Sequence, residues 1–186
     1  MNGIEEIIEA IDGGDKNSYG IVIEQYQQSI FKYCYHMLGS VQESEDTVQD
    51  VFIKGFQNLS QFRQGTSFSA WLYKIAYHQC LNKLKRRKKH SQLLRLLFQP
   101  DYANPVEDKV SYDPLLQAGL DRLRPKARTI LLLRTLEDKS FCEIADTLQM
   151  TEAAVRKSYE RSTKTLRTYL NSKQGGASHE KFLSTR

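Results

Sequence analysis

The chain of 186 residues contains few of the residues that build disulfide or metal scaffolds. Its three cysteines, Cys34, Cys80 and Cys142, are far apart, lie in apolar helical patterns and form no Cys-x-x-Cys pair. An odd number of separated cysteines argues against a disulfide framework and predicts reduced, buried thiols in a cytosolic protein. The four histidines lack metal-ligand spacing, so we expect no metal site and no cofactor.

Long hydrophobic runs are also missing. The longest purely aliphatic stretch spans only Ile130 to Leu133, and the first ten residues carry acids where a secretory signal has a basic start and an apolar core. A membrane-spanning helix needs about 20 apolar residues. The sequence therefore predicts neither export nor membrane insertion, and we expect a cytoplasmic protein.

Sustained alternation of apolar and polar residues, which is typical of half-buried strands, is absent as well. Apolar residues recur at helical spacing, which predicts an all-α protein. We expect helices near 3–11, 18–38, from 44 and from 67, then at 115–123, 125–136 and as a pair within 140–170. Gly13-Gly14 and Gly39 stop the first two helices.

A proline-rich window divides these helices into two groups. Pro100, Pro105 and Pro114 are three of the four prolines, and they fall in a stretch of weak periodicity. We expect a helical domain at residues 1–90, a linker at 91–114, a second helical domain at 115–172 and a disordered tail at 173–186. The fold prediction is thus two small helical domains joined by a linker.

Charge is present but segregated. The formal net charge is +5, which favours an anionic partner. An acidic segment at 43–50 and a strongly basic run at 83–89 lie on neighbouring predicted helices. Segregation of this kind indicates more than one partner.

Residues 140–161 have the pattern of a helix-turn-helix. Ala145 is small where the second helix must cross closely, Thr151 is placed to cap that helix, and Val155 packs back on the first helix. The turn is Gln149-Met150. The alternative is a helical hairpin with a solvated basic face, which does not require these three residue types at these offsets.

In this motif the exposed early positions of the second helix meet base edges in the major groove, and positions one or two turns later meet phosphates. The candidates for base contacts are Arg156, Lys157, Glu160 and Arg161, and those for phosphate contacts are Lys164 and Arg167.

The basic run continues a helix whose earlier turns carry aromatic residues. Aromatic faces can stack on unpaired bases while lysine and arginine hold the backbone. The candidates are Tyr73, Tyr77 and His78, with Lys85, Arg86 and Arg87 from the basic run. For Trp71 we favour packing in the core, and the basic run alone is also compatible with a solvated patch or a nuclear-localisation-like signal.

The acidic segment would repel DNA and so needs another partner. Its exposed side, with Glu45, Gln49 and Asp50 and with Phe56 nearby, fits a protein-binding surface better than a catalytic carboxylate pair, because the sequence supplies no nucleophile, metal site or phosphate loop. A plain solvated helix face is the alternative.

Together these segments resemble a sigma factor of the extracytoplasmic-function (ECF) group, the minimal two-domain members of the bacterial sigma-70 family. The resemblance covers about residues 14–170. The segments that carry it are Gly14-Asp15 with Tyr26, the stretch Glu45 to Lys54, the stretch Phe68 to Ala76, the basic run, the stretch Leu123 to Arg128, and the helix-turn-helix.

The resemblance implies an alternative sigma factor, not an enzyme, that binds core RNA polymerase through the β-prime clamp helices and the β flap. It implies that the loop from Phe62 to Phe68 and the next helix open the −10 promoter element, while the helix-turn-helix reads the −35 element. It adds Asp46, Phe52 and Ile53 to the polymerase-binding residues, and Phe68, Trp71 and Asn82 to the −10 residues. It also implies an anti-sigma factor, in many cases membrane-bound, that would hold the protein at the inner face of the membrane.

Three positions depart from the family pattern. His78 stands where asparagine is frequent, Asn82 where aspartate is frequent, and Gln149 where glycine is common in the turn. The resemblance therefore does not carry over a −10 base preference.

Two other functions compete with this reading. A conventional helix-turn-helix regulator would leave the acidic and the basic aromatic helices unexplained, and a nucleic-acid enzyme would need clustered carboxylates or histidines that the sequence lacks.

Overall fold

The computed structural model describes residues 3–63, 66–97 and 113–173, and these ranges contain eight α-helices and no strand. The predicted all-α class is confirmed. The helices are α1 (Gly3–Asp12), α2 (Tyr19–Leu38), α3 (Val41–Gln57), α4 (Phe68–Leu97), α5 (Pro114–Asp121), α6 (Pro125–Thr135), α7 (Phe141–Leu148) and α8 (Glu152–Lys173).

The first four helices form one bundle. Helix α2 ends at Gly39, whose φ of +70° is left-handed and whose N–H donates to the Tyr35 carbonyl. Glycine suits this position because a Cβ opposes left-handed backbone. Helix α3 begins at Val41, three residues before the predicted start, because the Ser40 hydroxyl accepts the Glu43 N–H and caps the helix.

Helix α4 is longer than the sequence indicated. It continues to Leu97, so residues 91–97, assigned to the linker, are helical. Leu93 and Leu94 are exposed on this extension. The rest of the predicted linker, residues 98–112, and the predicted disordered tail beyond Lys173 lie outside the described residues.

The last four helices form the second bundle. Pro114 and Pro125 occupy first-turn positions of α5 and α6, where a missing N–H costs nothing. Helix α5 meets α8 at Gly119, where a Cβ would lie 2.5 Å from Leu166 Cδ1. An alanine at this position would have to displace the end of the buried Leu166 side chain.

The two bundles pack against each other and share one continuous core. The last six residues of α2, Tyr33 to Leu38, are all buried, because the helix is covered by α3 and α4 on one side and by α5 and α6 on the other. A helix that is covered all round has no polar face.

Polar contacts cross this interface between the bundles. The Arg128 guanidinium donates to the Met37 carbonyl at 2.9 Å and pairs with Asp121 at 2.9 Å. The hydroxyls of Tyr33 and Thr129 are 3.0 Å apart. Burial lowers the pKa of Arg128, and the Asp121 carboxylate opposes that shift. The guanidinium, which proteins do not deprotonate, is thus a buried charge with its partner beside it.

The exposure of one cysteine corrects the sequence interpretation. Cys34 and Cys80 are buried, as predicted, but Cys142 is exposed, because α7 turns Ile144, Ala145 and Leu148 inward and leaves Cys142 outside. Phe56, which the sequence places beside the exposed side of the acidic segment, is partly exposed. Its ring packs edge-on against Tyr19 with centroids 5.1 Å apart.

Candidate nucleic-acid interface

The helix-turn-helix begins with a reciprocal cap. The Ser140 hydroxyl accepts the Glu143 N–H, and the Glu143 carboxylate accepts the Ser140 N–H at 2.8 Å. Burial would raise the pKa of Glu143, but hydrogen bonds from Ser140 and the charge of Lys139 outweigh it and lower the pKa. The cap carboxylate is therefore ionised at neutral pH. Its negative charge also interacts favourably with the positive end of the helix dipole at the N-terminus of α7.

The turn between α7 and α8 depends on a left-handed residue. Gln149 has φ +52° and ψ +56°, and its N–H donates to the carbonyls of the preceding turn of α7. Left-handed backbone costs a residue with a Cβ about 1–2 kcal/mol. The Thr151 hydroxyl then accepts the Ala154 N–H at 3.3 Å and caps α8, while Val155 is buried against α7.

Helix α8 presents one charged face to solvent. All six residues predicted to contact the −35 duplex are exposed: Arg156, Lys157, Glu160, Arg161, Lys164 and Arg167. Arg156 is held in place, because it pairs with Glu152 at 2.7 Å and its guanidinium lies 4.6 Å from the centre of the Phe141 ring. The other five side chains form no ion pair within the described part of the chain.

Helix α4 presents a second polar face on the first bundle. His78, Asn82, Lys85 and Arg86 are exposed, and their spacing of three and four residues places them along one stripe. Burial, together with the positive charges of Lys74 and Lys85, lowers the pKa of His78. His78 is therefore neutral at pH 7 and acts there as a hydrogen-bonding group without charge.

An aromatic cluster stands at the N-terminal end of α4. Phe62, Phe68 and Trp71 lie with ring centroids 5.3–5.6 Å apart. Phe68 is 3% exposed, and Trp71 is half-buried against the core, as favoured for Trp71 from the sequence. Residues 64 and 65 of the adjoining loop lie outside the described ranges.

Tyr73 does not share a surface with the other −10 candidates in this structure, whereas Tyr77 is half-buried at the edge of the polar stripe. Tyr73 is 1% exposed and packs edge-on against Tyr33 with centroids 5.4 Å apart. Burial raises the pKa of Tyr73, and the nearby Glu137 of the second bundle adds to the shift. The second bundle thus covers this side of α4.

The basic run is divided between two faces. Lys83 pairs with Asp46 of α3 at 3.3 Å. Arg87 donates from Nε to Glu43 at 2.9 Å and from Nη1 to the Leu38 carbonyl at 2.7 Å. Lys85 and Arg86 face solvent. Part of the basic run therefore binds α2 and α3 and is not free for an external partner.

The acidic helix α3 borders a groove against α2 of about 620 Å³, lined by Glu24, Gln27, Gln28, Phe31, Glu45, Val48 and Gln49. Glu45, Asp46, Gln49 and Asp50 are exposed, and Ile53 is 55% exposed. Phe52 differs from these polymerase-binding candidates, because it lies in the core and its carbonyl accepts the Tyr19 hydroxyl at 2.9 Å.

Sequence reasoning missed the roles of Arg87 and Arg128, which each donate to a carbonyl at the end of α2. The available signal was the nearly unbroken apolar run Tyr33 to Leu38, which indicates a helix end buried on all sides.

In the described part of the chain, no helix combines the length and apolar character that crossing a membrane requires.

Two family models match the chain in series. Sigma-70 region 2 matches residues 22–90, and Sigma-70, region 4 matches residues 115–166. The first match contains the acidic helix α3 and the aromatic and basic helix α4. The second contains the helix-turn-helix.

Curated relatives match across most of the chain. ECF RNA polymerase sigma factor SigW of Bacillus subtilis is 28% identical over 180 residues, which are 90% of this chain and 96% of the relative. ECF RNA polymerase sigma factor SigE of Mycolicibacterium smegmatis is 30% identical over 163 residues, which are 82% of this chain and 62% of the relative.

Solved structures share the fold. The sigma factor RpoE of Bartonella quintana, in complex with the anti-sigma factor NepR, matches with a TM-score of 0.68 at 18% identity over 82% of this chain and 96% of that chain. CnrH, in complex with the cytosolic domain of CnrY, matches with a TM-score of 0.69 at 18% identity over 90% of this chain and 97% of that chain. With the region 2 and region 4 matches in order along one short chain, the protein belongs to the extracytoplasmic-function group of the sigma-70 family.

Proposed function

We propose that the protein binds the core of bacterial RNA polymerase and directs promoter-specific initiation, with the second bundle reading the −35 duplex and the first bundle opening the −10 element. The observation that carries this proposal is the pair of separate polar faces, one on α8 and one on α4, on two bundles that match different sigma regions. Opening a duplex requires a double-strand anchor and a single-strand capture site, and the two faces supply one of each.

The −35 duplex would be read by the early exposed turns of α8. Arg156 and Arg161 can donate hydrogen bonds to the acceptors of guanine. The Glu160 carboxylate can accept a hydrogen bond from the amino group of cytosine. Lys164 and Arg167 lie one to two turns later and would contact phosphates. The contacts of Arg156 with Glu152 and Phe141 limit its rotamers, so less freedom is lost when it meets a base.

The −10 strand would be held by the stripe on α4 and the aromatic cluster beside it. Lys85 and Arg86 supply positive charge for the backbone, and the neutral His78 and Asn82 supply hydrogen bonds without adding charge. The half-buried Trp71 offers a ring face for an unpaired base at the end of this stripe.

Core polymerase would bind the outer face of α3 and its groove against α2. The exposed acids Glu45, Asp46 and Asp50 lie on the same helix as the exposed, apolar Ile53, and a combination of apolar and charged groups is typical of protein interfaces. Phe52 would support this face from the core.

An anti-sigma factor is the expected regulator. RpoE and CnrH, which share this fold, were solved in complex with NepR and with the cytosolic domain of CnrY. We propose that a protein of this kind binds the present chain in the cytoplasm and, where it has a membrane anchor, holds the chain at the inner face of the membrane.

Binding to purified core polymerase tests the proposal. Glu45→Lys reverses an exposed charge that has no ion pair in the described residues, so it should weaken affinity for core about tenfold or more without changing helicity. The matched control is Glu9→Lys on α1, an exposed acid outside both family matches. Equal affinity of the two variants would remove α3 from the interface.

A further inference from the structure

We infer that Phe141, the first residue of α7, is a positioning residue for base reading by Arg156 of α8, so that the −35 base preference depends on a side chain outside α8. The inference rests on the proposed function, because a −35 preference requires that α8 reads DNA. The structural basis is a cluster of side chains from three helices around the Phe141 ring.

Three side chains contact this ring. The guanidinium carbon of Arg156 lies 4.6 Å from the ring centre, and that of Arg134, on α6, lies 5.4 Å from it. Both distances are within the roughly 6 Å at which an aromatic face attracts a cation. The Tyr159 ring of α8 meets the Phe141 ring at 61°, with centroids 5.5 Å apart.

The Phe141 ring is itself held in place. It is half-buried and packs against the core. The reciprocal cap of Ser140 and Glu143 fixes the backbone on both sides of it, and an edge-on neighbour such as Tyr159 stabilises one orientation of a ring. A guanidinium that lies on this ring therefore has a fixed support.

The two arginines of the cluster differ in what they can reach. Arg134 Nη1 donates to the Asp138 carboxylate at 3.3 Å and to the Lys139 carbonyl at 3.1 Å, so Arg134 belongs to the turn between α6 and α7. Its side chain is 27% exposed, whereas that of Arg156 is 54% exposed. Arg156 is therefore the cation of this cluster that DNA can meet.

The contact with Phe141 orients Arg156 without occupying its donors. A cation interacts with the face of a ring through its charge, and the five N–H donors of a guanidinium lie in the guanidinium plane. Glu152 accepts a hydrogen bond from Nη2 at 2.7 Å. The remaining donors can address the two acceptors that guanine presents in the major groove.

Orientation matters for a base contact much more than for a phosphate contact. Bidentate donation to guanine requires one placement of the guanidinium, whereas attraction to the phosphate backbone depends on charge. Loss of the ring should therefore reduce base discrimination and leave the general affinity for duplex DNA unchanged. A residue that only stabilises the fold would not separate these two quantities.

The chain offers a matched control for loss of the ring. Phe141→Leu removes the ring and keeps an apolar side chain, and Phe141→Tyr restores the ring. On the same bundle, Arg122 lies 4.4 Å from the centre of the Tyr169 ring, and neither of these two residues is a predicted DNA contact. Tyr169→Leu therefore removes a cation–aromatic contact of the same kind away from the reading face.

Nuclear magnetic resonance of the full chain without DNA tests the contact. A proton over the face of a ring resonates upfield, so the Arg156 Nε–H signal should move downfield in Phe141→Leu. It should keep its position in Phe141→Tyr and in Tyr169→Leu. An unchanged signal in folded Phe141→Leu would overturn the inference whatever the protein does with DNA.

Selection from a pool of short duplexes, randomised over a central window and sequenced before and after binding, tests the effect on reading. Arg156→Ala identifies the base pair whose enrichment depends on Arg156. Phe141→Leu should lower enrichment of that base pair about two- to fivefold, the factor that a cation–aromatic contact at an exposed site supplies. Affinity for the starting pool and its salt dependence should not change, and Phe141→Tyr and Tyr169→Leu should enrich as the unaltered chain does.

The outcomes separate this inference from the proposed function. Unchanged enrichment in Phe141→Leu, a loss of affinity that is equal for all sequences, or a further loss when Phe141→Leu is added to Arg156→Ala would overturn the positioning role alone. Absence of any enrichment by the unaltered chain would contradict −35 reading and the inference with it. Far-UV circular dichroism shows whether each variant is folded, and Phe141→Met replaces Phe141→Leu if the latter is not.

Discussion

Arg86 and Arg87 are neighbours of equal charge for which the structure predicts opposite effects of mutation. The Arg87 guanidinium donates to the Leu38 carbonyl at 2.7 Å and to the Glu43 carboxylate at 2.9 Å. A hydrogen bond from a charged donor contributes about 1.5–3 kcal/mol, and a half-exposed ion pair adds about 0.2–1 kcal/mol. Arg87→Ala should therefore lower the free energy of unfolding by about 2–3 kcal/mol.

Arg86→Ala should leave that free energy within about 0.5 kcal/mol of the unaltered protein, because the side chain is exposed. It should instead weaken binding to DNA of mixed sequence and reduce the slope of log affinity against log salt by about 1. Urea denaturation and salt-dependent anisotropy measure the two effects. Equal losses of stability in the two variants, or an unchanged salt slope for Arg86→Ala, would refute the division of the basic run.

Three further predictions concern the second bundle. Gln149→Gly should raise the free energy of unfolding by about 1 kcal/mol, because the left-handed backbone at this turn disfavours a Cβ; a loss of stability on urea denaturation would contradict this. Gly119→Ala should lower the free energy of unfolding by about 1–3 kcal/mol, because the new methyl group overlaps the end of the Leu166 side chain, and a neutral result would show that Leu166 repacks without cost. Arg156→Ala should cost about 1–3 kcal/mol of discrimination between the cognate −35 duplex and a scrambled one in competition binding; equal loss on both duplexes would exclude a base-reading role.

Helix positions and ends were largely predictable from the sequence, because they depend on local chemistry. Gly39 stops α2 through its left-handed backbone, and Pro125 starts α6 at a position that needs no N–H. The start of α3 was predicted three residues late. The signal was present in Ser40, which caps the helix, but the apolar pattern that located the helix begins only after it.

The exposed face of α8 was also predictable, since helical spacing alone separates the buried Val155 from the exposed Arg156 and Lys157. The α4 face was harder. Lys83 and Arg87 read as part of one basic run, and only the packing of α3 beside α4 shows that they pair with Asp46 and Glu43. Ion pairs between residues about 40 positions apart leave no local signal in a single sequence.

The contact between the bundles was not predictable from local patterns. Arg128 looks like one more basic residue at the start of α6, and its burial depends on where the end of α2 lies in space. The apolar runs at the end of α2 and in α6 indicate helices covered on all sides, but they do not say by what.

The most direct test of the proposed function is run-off transcription of fragmented bacterial genomic DNA by purified core polymerase, with and without this protein, at near-physiological salt. Salt must be controlled because phosphate contacts make binding salt-dependent. We predict discrete new start sites that appear only with the protein and share sequence near −10 and −35. Tight duplex binding with no new start sites would contradict the account and favour a conventional helix-turn-helix regulator.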